Sequence, residues 1–154
     1  MIDFAGICDA LAARFEAATL GTPTGAPPIA ATFGQMPKAA PALPAVVIVP
    51  QDGQVVAQSS AWQHEMRLDA VLVLARRSGD PARVESERQA YLPYLLAATE
   101  GQLQLGLGSQ PGWGVVKALP TGWDWAEWDM AGDGFDALRV HFQVWVGENV
   151  SLRP

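Results

Sequence analysis

The sequence predicts an α+β domain: a mainly antiparallel sheet of about four to five strands with two helices packed on one face, in the order α-β-β-α-β-β-β. Three observations carry this. From Trp62 to Leu74 every even position but His64 is apolar, while the odd positions begin Gln63, Glu65, Arg67 and Asp69. The same alternation returns near the carboxy terminus, where Leu138, Val140, Phe142, Val144 and Val146 are interleaved with Arg139, His141 and Gln143. At the amino terminus, Phe4, Ile7, Leu11, Phe15 and Ala18 fall three and four apart. Period two describes a strand with one buried face, and the three-four spacing describes a helix stripe that can cover it.

Size and composition bound the rest. A chain of 154 residues is about one domain, here taken as residues 1–154. It is 49% hydrophobic and 17% charged, too apolar for a disordered chain, and its 15 glycines and 12 prolines exclude a coiled coil. A net charge of -6 argues against a protein that holds nucleic acid by neutralising phosphates, which needs clustered Lys and Arg. The single cysteine, Cys8, excludes an intrachain disulfide framework and a multi-cysteine zinc site. With no long apolar run and no basic stretch before Asp3, the chain reads as soluble and intracellular, with no membrane partner.

The first helix is expected from Asp3 to Ala18, with Asp3 as its cap and Gly21 and Pro23 beyond its end. Residues 21–44 hold six of the twelve prolines and read as an extended arm, with a short strand near Ile29 to Phe33. Ala45 to Val49, between Pro44 and Pro50, is a β-branched run and a buried strand. The polar stretch 51–61 contains Asp52-Gly53, a turn signal, and reads as a projecting loop or hairpin. After the strand Trp62 to Leu74, Asp80 caps a second helix that opens on Pro81 and aligns Val84, Tyr91 and Leu95, with a kink or restart expected at Pro93. Gly101 to Gly114, with five glycines, reads as loop. A meander follows: a strand from Val115 to Leu119, a turn at Pro120 to Gly122, a strand from Trp123 to Met130, a turn at Gly132 to Gly134 and a last long strand.

No catalytic motif emerges. His64 has the parity of an apolar strand face and His141 that of a polar one, so a shared sheet would hold them on opposite sides, unable to bind one metal or act as a pair. Cys8 lies by the helix stripe with no His in sequence reach and reads as a packed thiol. Asp124, Glu127, Asp129, Asp133 and Asp136 lack the ligand spacing of a calcium loop and read as a solvated edge and turn. Gly106-Leu-Gly108 lacks the Lys and Ser/Thr of a phosphate loop. Four of the six tryptophans fall between Trp113 and Trp128, with Trp123 and Trp125 on one strand face and Trp128 on the other. Intrachain core, a protein interface and a sugar-stacking platform all fit that pattern.

The order of these elements resembles the tail terminator (tail completion) family of long-tailed bacteriophages. The resemblance rests on the amino-terminal helix, the Pro-rich passage into Leu43 to Val49, the polar loop, the strand Glu65 to Leu74, the Gly79-Asp80 opening of the second helix, and the Trp-rich meander ending in Phe135 to Val146. It departs from the family's pattern in the long arm and in Pro93. The resemblance implies a structural virion protein rather than an enzyme, assembled in the host cytoplasm and located at the head-tail junction. It implies a homo-oligomeric, hexameric ring that caps the tail tube, stops its polymerisation and offers the surface for the head connector or neck protein. DNA would pass through the channel without specific binding; acidic groups in the lining would repel its phosphates. The expected contact residues are Gln51, Asp52, Gln54 and Gln58 in the polar loop and Trp113, Trp123, Trp125 and Trp128 in the meander. No catalytic residue, metal ligand or cofactor is expected. The alternatives are another neck or head-completion protein, or a carbohydrate or small-ligand binding domain.

Overall fold

The computed structural model describes residues 1–58, 60–77, 80–130 and 132–149. Five strands form one sheet: β1 Ala31–Phe33, β2 Ala45–Gln58, β3 Ala61–Arg76, β4 Trp113–Met130 and β5 Asp133–Asn149, in the spatial order β1-β2-β3-β5-β4. The three helices are α1 Phe4–Ala13, α2 Ala17–Leu20 and α3 Pro81–Leu96. Only β1 runs parallel to its neighbour, pairing Ala31 to Phe33 with Ala45 to Val47; the other pairings are antiparallel. The fold is therefore the α+β class that the alternation predicts.

The even-numbered face of β3 and β5 carries the main core. Leu68, Ala70 and Leu72 meet Val140, Phe142 and Val144 there, with Val46 and Ile48 of β2 beside them and Ile7, Leu11, Tyr91 and Leu95 of the helices above. Burial at roughly 25 cal/mol per Å² of apolar surface makes this face the main source of stability. The opposite face is dry only at one end, where Val71, Val73, Phe135 and Ala137 gather with Met130 and Trp128.

Local chemistry explains where the elements depart from expectation. The expected single helix over Asp3 to Ala18 is interrupted after Ala13. Asp3 does cap it, accepting from Gly6 N at 2.9 Å, but Arg14, Phe15 and Glu16 donate to carbonyls three residues back and tighten the last turn. The tightening drives Phe15 fully into the core, edge-on to Phe142 with centroids 5.8 Å apart. The helix does not restart at Pro93 but runs through it to Leu96.

The projecting stretch 51–61 takes the hairpin form. β2 continues through it to Gln58, paired with β3 from Gly53↔Met66 to Gln58↔Ala61, after a register shift between Pro50 and Gly53. Pro50 is tolerated because β1 has already ended and the missing N–H falls on an open edge. The expected turn at Pro120 to Gly122 is likewise a register shift inside one continuous strand: β4 is the other edge, so Pro120 deprives no neighbour of a hydrogen bond. The strands expected over Val115 to Leu119 and Trp123 to Met130 are thus one, and the short strand in the arm completes the five.

The arm is tied down by Tyr91 of α3, whose hydroxyl donates to the Pro27 carbonyl. Burial, and secondarily the charge of Glu87, pushes the Tyr91 phenol up to about 12. The neutral phenol therefore contributes stability in full below its ordinary value of 10, lost as pH rises from 10 to about 12. Alkaline unfolding should be concentrated in that window, and Tyr91→Phe, which cannot ionise, should flatten it; circular dichroism against pH reads both.

Candidate functional site

Strand parity places the two histidines on opposite faces. His64 lies on the helix side, its Nε2 3.5 Å from Glu148 Oε1, while Ile2 N donates to the other Glu148 oxygen at 3.1 Å. The Phe4 ring meets His64 edge-on at 6.1 Å. These contacts hold the first residues of the chain against the sheet. Cys8 is buried, and burial followed by the charge of Asp9 pushes its thiol up, which disfavours the nucleophilic thiolate.

His141 sits in a polar ladder across three strands on the helix-free face. Its Nδ1 is 2.6 Å from Oδ1 of Asp69 on β3, and its Nε2 is 3.3 Å from Oδ1 of Asp124 on β4. Arg139, two residues back on β5, donates to both Asp124 oxygens at 2.9 and 2.6 Å. Asp69 is only 2% exposed. Both ring nitrogens face carboxylates and the second carboxylate is held by a two-pronged guanidinium, so the ladder is closed on itself; the nearby Thr121 hydroxyl donates to the His141 carbonyl, not to the ring. It ties β3, β5 and β4 together. Strand parity alone identifies His141 as outward-facing but not its partners, because Asp69 and Asp124 are distant in sequence.

The Arg139 hydrogen bonds are the main cause that holds Asp124 below the ordinary carboxylate range, against the opposing effect of burial. A depressed carboxylate contributes stability that is present above its unfolded value and lost as pH falls through the lower folded one. Arg139→Gln removes that cause. Its acid-unfolding midpoint, followed by circular dichroism, should lie at a higher pH than that of the parent.

The acidic set of the meander is distributed rather than convergent. Besides Asp124, Glu127 and Asp129 face Arg77 at 3.5 and 3.3 Å, Asp133 faces Arg76 at 3.2 Å and Asp136 faces Arg88 at 3.8 Å. Each carboxylate has a guanidinium partner, and among the described residues no cluster of three His, Cys, Asp or Glu is placed to hold a metal ion.

The expected contact residues divide into two groups. Gln51, Asp52 and Gln54 are exposed on the outer half of β2. There Asp52 lies 3.6 Å from Arg67, and Gln54 donates to Glu65 at 2.5 Å. Gln58 ends β2, and its side chain lies outside the described residues, as does all of Gly79. Of the tryptophans, Trp113 packs against the main core and Trp128 against the smaller one. Trp123 and Trp125 stay 44% and 38% exposed on the helix side of β4, their rings 4.8 Å apart and tilted by 59°. Arg88 of α3 lies 5.7 Å over the Trp125 ring and donates to the Ala126 carbonyl at 3.1 Å. Two indoles at that tilt form a notch on the outer surface of the strand.

The arrangement presents two surface features, a polar hairpin at one end of β2 and an aromatic notch on the opposite edge strand. Neither the models of known protein families nor the curated protein sequences match this chain.

Proposed function

We propose that this chain is a structural subunit that works by assembly, closing a homo-oligomeric ring of the kind formed by phage tail terminators, which caps a tail tube and receives the head connector. The observation that carries the reading is the β2–β3 hairpin. Every residue from Pro50 to Ala57 is exposed, yet the hairpin is braced along β3 by β5 as far as Asn149. A projection that adds little to the core and is held stiff suits contact with a partner. The exposed notch of Trp123 and Trp125 on the other edge supplies a second, different patch, and a ring requires a patch on one copy to meet a different patch on the next.

The charge pattern bears on the DNA channel. The helix-free face alternates Asp52, Glu65, Asp69 and Asp124 with Arg67, Lys117 and Arg139, a nearly balanced set. Such a face offers DNA no basic track to hold it. The experiment is negative-stain imaging of the purified protein, alone and with growing tail tubes. Rings of about the tube diameter that halt tube growth are expected; a protein that stays monomeric and leaves growth unchanged overturns the reading. A neck or head-completion role would be recognised by rings that bind the connector and ignore the tube.

A further inference from the structure

We propose that the outer edge of β2 is a strand-docking site for an extended segment of a partner protein in which apolar residues alternate with Lys or Arg. The inference stands on the geometry of this edge and does not depend on ring formation.

The sheet treats its two edges differently. β4 is guarded: Val115 N and Ala118 N donate to the carbonyls of Leu107 and Leu103 in the preceding loop at 2.8 and 2.7 Å, Pro120 has no N–H to offer, and Arg88 caps the Ala126 carbonyl. Such devices stop an edge from recruiting another strand. β2 has β1 beside it only at Ala45 to Val47. Among the described residues, no backbone hydrogen bond from any segment other than β3 reaches Val49 to Gln58. Pro50 and the adjoining register shift interrupt the edge, but Gly53 to Ala57 is an unbroken run about as long as an ordinary strand.

Side chains flank this run on both faces, as strand addition requires: the added backbone pairs with the edge while alternate side chains enter pockets on either side. On the helix side of the run a cavity of about 260 Å³ is lined by Phe4, Gly53, Val55 and Met66, and beyond the register shift a larger one of about 500 Å³ opens between α1 and β2, lined by Phe4, Cys8, Met36 and Ile48. Phe4 and Met36 are 48% and 46% exposed, and Val55, on the same face of the edge, is 52% exposed, so the apolar surface is continuous with the unpaired backbone; Val56, 43% exposed, faces the other side with Gln63. On the other face a cavity of about 260 Å³ is lined by polar groups, among them Asp52, Glu65 and Arg67. On that face two carboxylates stand against one guanidinium. An added strand would therefore place its apolar row over Phe4 and Val55 and its basic row over Asp52 and Glu65.

The test uses the full chain and a fluorescent peptide alternating Val and Lys, followed by anisotropy, with hydrogen exchange as the structural readout. Expected are saturable binding, slowed exchange of the amides from Gly53 to Ala57, and weakening of about tenfold or more when alternate peptide amides are N-methylated, which keeps the side chains but removes backbone donors. Val55→Lys and Val56→Lys, both at exposed positions, should weaken binding without altering the fold. The proposal is overturned by equal binding of the N-methylated peptide, by equal binding of a peptide with the same residues in two blocks, or by no saturation up to about 1 mM. It is overturned too if the protein pairs with itself along this edge and excludes the peptide. Rings that form without any peptide binding would reject this inference alone.

Discussion

Removal of residues 52 to 60 should leave a folded monomer and abolish assembly. From Asp52 to Ala57 every side chain is exposed, and none belongs to either apolar cluster. Gln51 then joins Ala61, and residues 61 to 67 become the connection between β2 and the buried part of β3, whose pairing from Leu68 to Val73 with β2 and β5 is kept. Unfolding in urea should therefore remain a single cooperative transition. Assembly should respond quite differently, because the deletion takes away the exposed valines and the polar residues of the only hairpin among the described residues that lacks a helix or loop along its edge. Sedimentation velocity and negative-stain imaging read the outcome. Rings and tube capping that persist unchanged would remove the hairpin from the assembly surface.

The second large effect concerns stability. His141→Ala should destabilise the fold by about 3 kcal/mol, since it leaves the Asp69 carboxylate buried at 2% exposure without its partner at 2.6 Å. The cost comes from the abandoned charge, not from the value of the pair. Replacing both residues, Asp69→Leu with His141→Leu, should recover most of the loss, because paired apolar side chains on adjacent strands need no compensation. Urea unfolding of the two single variants and the double variant separates these contributions. If the double variant is as weak as His141→Ala, the ladder stabilises the fold by itself. Far-ultraviolet dichroism should be unchanged throughout, since the backbone ladder of β3, β5 and β4 does not depend on these side chains.

Much of the fold is legible from local pattern. The even-odd alternation of Trp62 to Leu74 and of Leu138 to Val146 marks two strands, their buried faces and the separation of His64 from His141, because side-chain parity is a property of the backbone in any strand. Asp3 and Asp80 announce their helices through hydrogen bonds made within three residues. Less legible are the features whose sign depends on position in the sheet. Pro50 and Pro120 read as boundaries along the chain, yet each lies within a continuous strand, since an edge tolerates a missing N–H and a central strand does not. Phe15 reads as the continuation of a helix, but its place in the core is won by tightening the turn before it.

The candidate surfaces divide the same way. The sequence by itself determined the α+β class, the buried faces of β3 and β5, the polar character of the stretch after Pro50 and the shared face of Trp123 and Trp125. All of these follow from periodicity and from the preferences of single residues. Only the tertiary structure decided that Asp69, His141, Asp124 and Arg139 form one ladder, that the five carboxylates from Asp124 to Asp136 each face an arginine, and that β4 is guarded while β2 is bare. Those features arise between residues far apart in the chain, where register and strand order bring groups together that no local pattern relates.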